Sequence, residues 1–384
     1  MTELVTDLLP WLAAFYLLDA VVQLRRGQVL FDRDWGGGFG LRRFGLHASA
    51  LSPLGVSVLA HDLPYLPTPL GVWLFDPQVR RSPPVIRPEA LRFLAWAELA
   101  PVRAERSAVK SGDQLLFRAR SPRGAQTVAS GLESLRRLAE GEREAAISVS
   151  LARALDLTAA QNRWRRVRLP LALTTAFCTA GFLLLFAGLP YAAYLSTAEL
   201  RWERTLGALL LAHLGTLLSA GWTLSRAGAG AGGVAAAVFT LGIFPAFAAR
   251  AGTQILREAF VEWDPLAISG ALLTPQAFLQ VARYEAVRGE LSRHATAGLG
   301  LAPFWSARMA AQEKLFREAG TTTSEAVAPP RLSGDARGWC PLCLGEYRDG
   351  FAQCSDCEVP LQPAVARAES GLERPPGATP RCGT

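Results

Sequence analysis

RWRRVRLPLALTTAFCTAGFLLLFAGLPYAAYL, residues 163–195, sets the class of this protein. From Leu169 to Leu195 no side chain is charged, and the run exceeds the roughly 20 helical residues that a ~30 Å hydrocarbon layer requires. Arg163, Arg165, Arg166 and Arg168 stand immediately before it, and basic residues packed against the end of a span mark the cytoplasmic side. Residues 206–224 form a second apolar stretch, reached through a short loop carrying Glu199, Arg201, Glu203 and Arg204, so the two are expected to make a helical hairpin. A third stretch, 232–249, is rich in Gly and Ala and broken by Pro245, which fits a full span, a tightly packed internal helix or a re-entrant one. Further upstream, residues 8–24 (LLPWLAAFYLLDAVVQL) end at Arg25 and Arg26 and are just long enough to cross. They lack a basic n-region and are interrupted by Asp19, so residues 1–26 are read as a retained anchor rather than a cleaved signal.

Composition agrees, since half of the chain is hydrophobic and its mean hydropathy is positive. The net charge of +7 is unevenly placed: residues 25–168 hold 23 Arg or Lys against 13 Asp or Glu, and the remainder is net acidic. A basic segment flanked by apolar spans suits a cytoplasmic membrane face, where anionic lipids attract it. Membrane lipids are the expected partner, and nucleic acid is not expected.

Between the anchor and the hairpin the character changes. Residues 27–140 carry short apolar runs, among them GQVLF, GVSVLA, GVWLF and QLLFRA, separated by Gly and Pro clusters, as in a β-rich soluble module ending in a helix over Gly124–Ala139. Within it VRAERSAVKSGDQLLFRA reads as a hairpin turning at Ser111-Gly112-Asp113. Strands closed by a C-terminal helix resemble pleckstrin-homology-like membrane modules in element order. Residues 141–168 read as a basic helical linker, 169–249 as the transmembrane region and 250–319 as a helical module, two of whose helices open on Pro275 and Pro303. Residues 320–338 and 363–384, rich in Ala, Pro, Ser, Thr and Gly, read as a flexible linker and a disordered tail. The fold class expected is thus a mixed membrane protein: transmembrane helices, a small β-rich module, a helical module and a compact cysteine unit at 339–362.

That unit carries the chemistry. Cys340 and Cys343, then Cys354 and Cys357 after ten residues, give C-x-x-C…C-x-x-C, in which each pair can chelate one tetrahedral metal from a tight turn. Four thiolates suit Zn²⁺ and leave no open coordination position, so one structural zinc per chain is expected, with a redox dithiol or a rubredoxin-like iron as the alternatives. Tyr347, Phe351 and Val359 are expected to supply the apolar contacts of a unit too small to fold without metal. CPLCLGEYRDGFAQCSDCEVPL, residues 340–361, resembles the zinc ribbons that end many small bacterial proteins. The resemblance implies bacterial origin and the four cysteines as ligands. It departs from the family pattern where a glycine usually follows each C-x-x-C, for Leu344 and Glu358 occupy those places. Four acidic residues against Arg348 alone argue for a protein partner over phosphate.

Other features carry less. The run Gly228–Gly233 lacks the Lys-Ser/Thr of a phosphate loop, His47, His61, His213 and His294 are scattered singly, and Cys178 and Cys382 have no cysteine neighbour. Among intramembrane ionisable groups, His213 suits a neutral interhelical hydrogen bond, and Asp19 lies near the interface. No catalytic residue is assigned. A multi-pass scaffold or regulatory protein of the bacterial inner membrane is expected, binding a protein partner through its zinc ribbon. A membrane-embedded enzyme or transporter with a site between the helices is the alternative. One conflict follows from topology: three full spans after Arg168 would place the ribbon outside, where thiolates oxidise, whereas a re-entrant 232–249 keeps it in the cytoplasm.

Overall fold

A computed structural model describes residues 65–75, 85–119, 122–188, 191, 199–243, 259–273, 275–329, 332, 336–342, 344–355 and 357–363. The chain divides into two compact units, Met1–Ala328 and Pro329–Thr384.

In the first unit six strands form two antiparallel three-stranded meanders. β1 (Tyr65–Pro67), β2 (Gly71–Phe75) and β3 (Leu91–Ala95) make one, with Leu66 opposite Trp73 and Trp73 opposite Phe93. Gly71 is obligatory there, because a Cβ would strike the Leu94 carbonyl and the Phe93 ring. β4 (Val102–Glu105), β5 (Ala108–Ser111) and β6 (Gln114–Arg118) make the other, with a bulge at Val109/Lys110. The expected turn at 111–113 is present. A second turn precedes it at Arg106-Ser107, where Arg106 takes a left-handed φ of 54°.

Helix α1 (Pro122–Arg137) follows, burying Ala125, Ala129, Leu132 and Leu135 at helical spacing against β4 and β5. Glu133 on its flank accepts from the Val102 amide at 2.9 Å and pairs with Arg136 and Arg137. The Arg136 hydrogen bond leads the effects that hold its carboxyl at about 2, below the ordinary 4.5. A carboxylate lowered by folding stabilises the fold above its unfolded value. Acid stability is therefore expected to fall as pH drops from about 4.5 towards 2, and Glu133→Gln should flatten that part of a melting-temperature series.

Helix α2 (Glu140–Ala154) is followed by α3 (Leu157–Leu183), so the four arginines expected in a separate linker stand on the same helix as the apolar run. Asp156 starts α3 by accepting from the Ala159 amide at 2.8 Å. A π-helical turn, Leu184–Gly188, continues it. Helix α4 (Glu199–Arg226) returns antiparallel, and the charged residues expected in the connecting loop form its first turns. The two helices interlock through small residues: a Cβ at Gly215 would collide with the Phe177 ring, and one at Gly181 would touch Ala212. Near the other end Thr174 approaches Thr223 at 3.5 Å.

Helix α5 (Ala231–Ile243) packs on α4, and α6 (Pro265–Leu272), α7 (Pro275–Ala295) and α8 (Ala302–Glu318) follow, each with a proline in its first turn. A short α9 (Thr323–Val327), capped by Thr322 and Glu325, occupies part of the stretch expected to be flexible. The core of this unit joins segments from Leu66 to Trp305. Leu66, Val72 and Leu74, Val109 and Leu116, Leu132, Ile147 and Leu151 pack with Leu301, Phe304 and Trp305 of the C-terminal helices. Trp73 Nε1 donates to the Leu299 carbonyl at 3.1 Å, and the Ile86 amide to Ser292 Oγ at 3.0 Å.

Among the described residues one helix, Arg204–Arg226 within α4, is long and apolar enough to cross a membrane. The expectation of several spans is not carried by the same measure. After Arg168 the α-helical part of α3 has only Leu169–Leu183 before the π turn, and α5 is 13 residues long. Residues 8–24 and Pro245, with Asp19, His47, His61 and Cys382, lie outside the described residues. What the chain shows is a mixture of helices and small antiparallel sheets.

Candidate metal centre

The second unit is built around β7 (Gly338–Trp339), which pairs antiparallel with β8 (Glu346–Tyr347) on one side and β9 (Gln362–Pro363) on the other. Trp339 is buried, as are Leu342 and Val359, and these three provide the apolar filling. Phe351, expected to do so, is 61 % exposed and only leans on the Tyr347 ring at 5.6 Å. A tryptophan directly preceding the first cysteine was the readable signal for the missing core residue.

Two turns hold the cysteines, and they are built alike. In the first the Cys340 amide donates to the Gly345 carbonyl and the Leu344 amide to the Cys340 carbonyl, both at 2.9 Å. In the second the Cys354 amide donates to the Val359 carbonyl and the Glu358 amide to the Cys354 carbonyl, again at 2.9 Å. Leu344 (φ 61°) and Glu358 (φ 53°) both lie in the left-handed region, the conformation for which glycine is the usual choice after C-x-x-C. The glycine is missing but the turn is made. A left-handed non-glycine residue costs roughly 1–2 kcal/mol, so Leu344→Gly and Glu358→Gly should each stabilise the metal-loaded unit by about 1 kcal/mol in a thermal melt.

Cys340, Cys354 and Cys357 are buried, unbridged and brought together, their sulfur atoms all within 4.8 Å of one another. Tetrahedral zinc with thiolates at about 2.3 Å would space its sulfurs at roughly 3.8 Å, so this cluster fits such an ion with little movement. Cys343 lies outside the described residues. Around the sulfurs, Cys354 Sγ accepts from Tyr347 Oη at 3.1 Å and from the Cys357 amide at 3.3 Å. Tyr347 is itself fixed by the Ser355 amide at 3.2 Å. Such donors to a ligand sulfur offset thiolate charge and orient the ligand. Hydrogen bonding with Cys340, followed by burial, pushes the Cys357 thiol well above its ordinary value. A divalent cation reverses that balance by favouring the thiolate, so metal uptake releases protons.

Among the described residues the histidines form no second site. His213 is half-buried on α4, and His294 meets Glu290 at 2.8 Å on the exposed side of α7. Sequence reasoning missed a buried ionic group: Arg308 donates to Asp264 at 2.7 Å and to Glu285 at 3.1 Å, joining α8 to the start of α6 and to α7. Nothing in the spacing of these residues signals it.

No family model, curated protein or solved structure matches this chain.

Proposed function

We propose that the protein is a membrane-anchored scaffold or regulatory protein whose α3–α4 hairpin crosses the bacterial inner membrane and whose cysteine unit holds one structural zinc and docks a protein partner. The observation that carries the anchor is the surface of the hairpin. Only 22 % of the apolar window of Arg204–Arg226 is buried, and Leu210, Leu211, Leu214 and Leu218 on α4, with Leu169 and Leu183 on α3, are exposed. So much bare leucine on a paired helix calls for a hydrocarbon environment. The lengths agree as well, since Leu169–Gly188 and Leu206–Ser225 each rise about 30 Å at 1.5 Å per residue.

The shared core supports a single topology. Strands and helices before the hairpin pack with Leu301, Phe304 and Trp305 after it, so both flanks belong to one side of a bilayer. The chain from Ala231 to Ala259 is shorter than the roughly 40 residues needed for two crossings, which favours a re-entrant or peripheral α5. No further long apolar stretch separates it from the cysteines, and the ribbon then faces the cytoplasm, where thiols stay reduced. Two three-stranded meanders followed by α1 also keep the element order of the pleckstrin-homology-like resemblance.

For the zinc the support is the sulfur-only donor set in two like turns, which suits zinc over harder cations. For docking it is the exposed surface of the unit, where Glu346, Asp349 and Glu358 and the apolar Phe351 all face outward. Affinity purification from native membranes, comparing the full chain with one ended at Ala328, tests the docking role. A partner lost on truncation supports it, and matching profiles refute it. A C-terminal reporter active only in the periplasm would overturn the topology.

A further inference from the structure

Resting on that membrane reading, one feature of the hairpin goes further: its cytoplasmic end carries unbalanced positive charge at a defined depth. The depth comes from the pairing of the helices. Thr174 faces Thr223, Gly181 faces Ala212, and a Cβ on Gly188 would touch Thr205 at 3.4 Å, which sets an antiparallel register. The Gly181–Ala212 and Gly188–Thr205 pairs, continued toward the other end of the hairpin, bring Arg168 opposite residue 225, one position from Arg226.

Each of these arginines stands just above lipid-facing apolar side chains. On α3 the buried face is Val167, Pro170, Leu171 and Thr174; at 100° per residue Arg165 and Arg166 lie away from it, on the side of exposed Leu169 and Leu173, while exposed Arg168 lies on its flank next to Leu171. On α4 exposed Trp222 sits one turn before exposed Arg226, an aromatic beside a cation as at membrane interfaces. None of the four arginines forms an ion pair among the described residues. Glu262, which lies near Arg163 at this end, is engaged by Arg123 at 3.1 Å.

The collar is also held rigidly. Arg123 of α1 and Arg163 of α3 both donate to the Ala227 carbonyl, at 2.9 and 2.6 Å, capping the C-terminus of α4 where the helix dipole favours a cation. Arg163 lies over the Trp263 ring at 5.2 Å. The soluble module, both helices of the hairpin and the returning chain therefore meet at one joint. The exposed arginines project from the helices that meet at that joint. A planar guanidinium can bind two phosphate oxygens at once, which the point charge of a lysine cannot.

We propose that Arg165, Arg166, Arg168 and Arg226 form a collar around this end of the hairpin that binds the phosphate headgroups of anionic glycerophospholipids of the inner leaflet. The lipid holds the soluble module against the membrane surface, since the same joint fixes both. Because the hairpin supplies the anchor, the collar acts on which lipids surround the protein and not on whether it is inserted.

The test uses the full chain reconstituted with equal parts of phosphatidylcholine and phosphatidylglycerol, re-extracted into a neutral detergent, with retained lipids counted by mass spectrometry. Phosphatidylglycerol should be enriched over phosphatidylcholine by roughly five-fold for each arginine engaged, falling as salt is raised. Replacing all four arginines by glutamine should return the ratio to near unity, while replacing them by lysine should keep part of the enrichment. Carbonate washing of the starting membranes separates the two levels of the argument. If the wild-type chain is washed off, the membrane reading itself fails. Should the chain resist washing and yet show no enrichment, or an enrichment that the glutamine variant keeps, the arginine site is overturned and the anchor stands.

Discussion

Chain purified without chelator should carry about one zinc per molecule, and Cys354→Ser should carry none. Cys354 is the sulfur on which most of the local structure converges. It lies within 4.8 Å of Cys340 and Cys357, accepts from Tyr347 Oη and the Cys357 amide, and starts the second turn through its own amide and carbonyl. A serine oxygen is a poorer ligand for a soft site and sits on a shorter bond, so it leaves a three-sulfur set open on one side. Binding of structural zinc contributes about 10–16 kcal/mol at neutral pH in units of this kind, and it is also the folding free energy of the unit. The described core of this unit is little more than Trp339, Leu342 and Val359, too small to persist alone. The variant should therefore lose order after Ala328, seen as rapid proteolysis there, while its membrane association stays unchanged. Stoichiometric zinc in Cys354→Ser would sink the assignment.

The cysteine spacing made this site legible because a chelate of two C-x-x-C turns is a local object. Its inner filling was less so. Phe351 looked apolar enough to be core, yet it follows Gly350 at a positive φ of 98° and is carried outward, while Trp339 enters the interior from β7. The strands were partly legible for a related reason. Gly112 announces the turn between β5 and β6, but Arg106 makes the turn between β4 and β5 without a glycine, so two hairpins read as one. Asp156 was a readable helix start that the run of arginines obscured, and α3 was divided at a boundary of charge where the backbone has none. The closure of the first core by Phe304 and Trp305 joins segments more than 200 residues apart, as the Trp73 to Leu299 hydrogen bond shows. Periodicity within a window has no access to such contacts.

The least legible feature is also where a single substitution should do most harm to the first unit. Asp264, Glu285 and Arg308 are far apart in sequence and nothing in their spacing links them, yet each side chain is 5 % exposed. Burial opposes the charge on Arg308, but Asp264 and Glu285 outweigh it and raise the guanidinium above its ordinary value. Asp264 has a second task, since its Oδ1 accepts from the Leu266 amide at 3.0 Å and caps α6. Arg308→Met preserves much of the volume and removes the cation, leaving two carboxylates in a site that excludes water. Breaking a buried pair in this way costs about 3–5 kcal/mol, which for a unit of this size corresponds to a melting temperature lower by roughly 10 °C. Arg308→Lys should recover little, because an ammonium lacks the two-sided fork that reaches both acids. The deficit should also shrink as the solution is acidified. Unpaired buried carboxylates bind protons more readily folded than unfolded, so protonation relieves the cost at low pH. Replacing the whole group, with Asp264→Asn, Glu285→Leu and Arg308→Met together, should restore most of the stability, as apolar packing does for other buried ion groups. Thermal melts followed by tryptophan fluorescence would register the opening of the core beside Trp305, which lies one turn before Arg308 on α8. A single-site variant that melts with the wild type would mean that the three charges are solvated in solution and do not hold α6, α7 and α8 together.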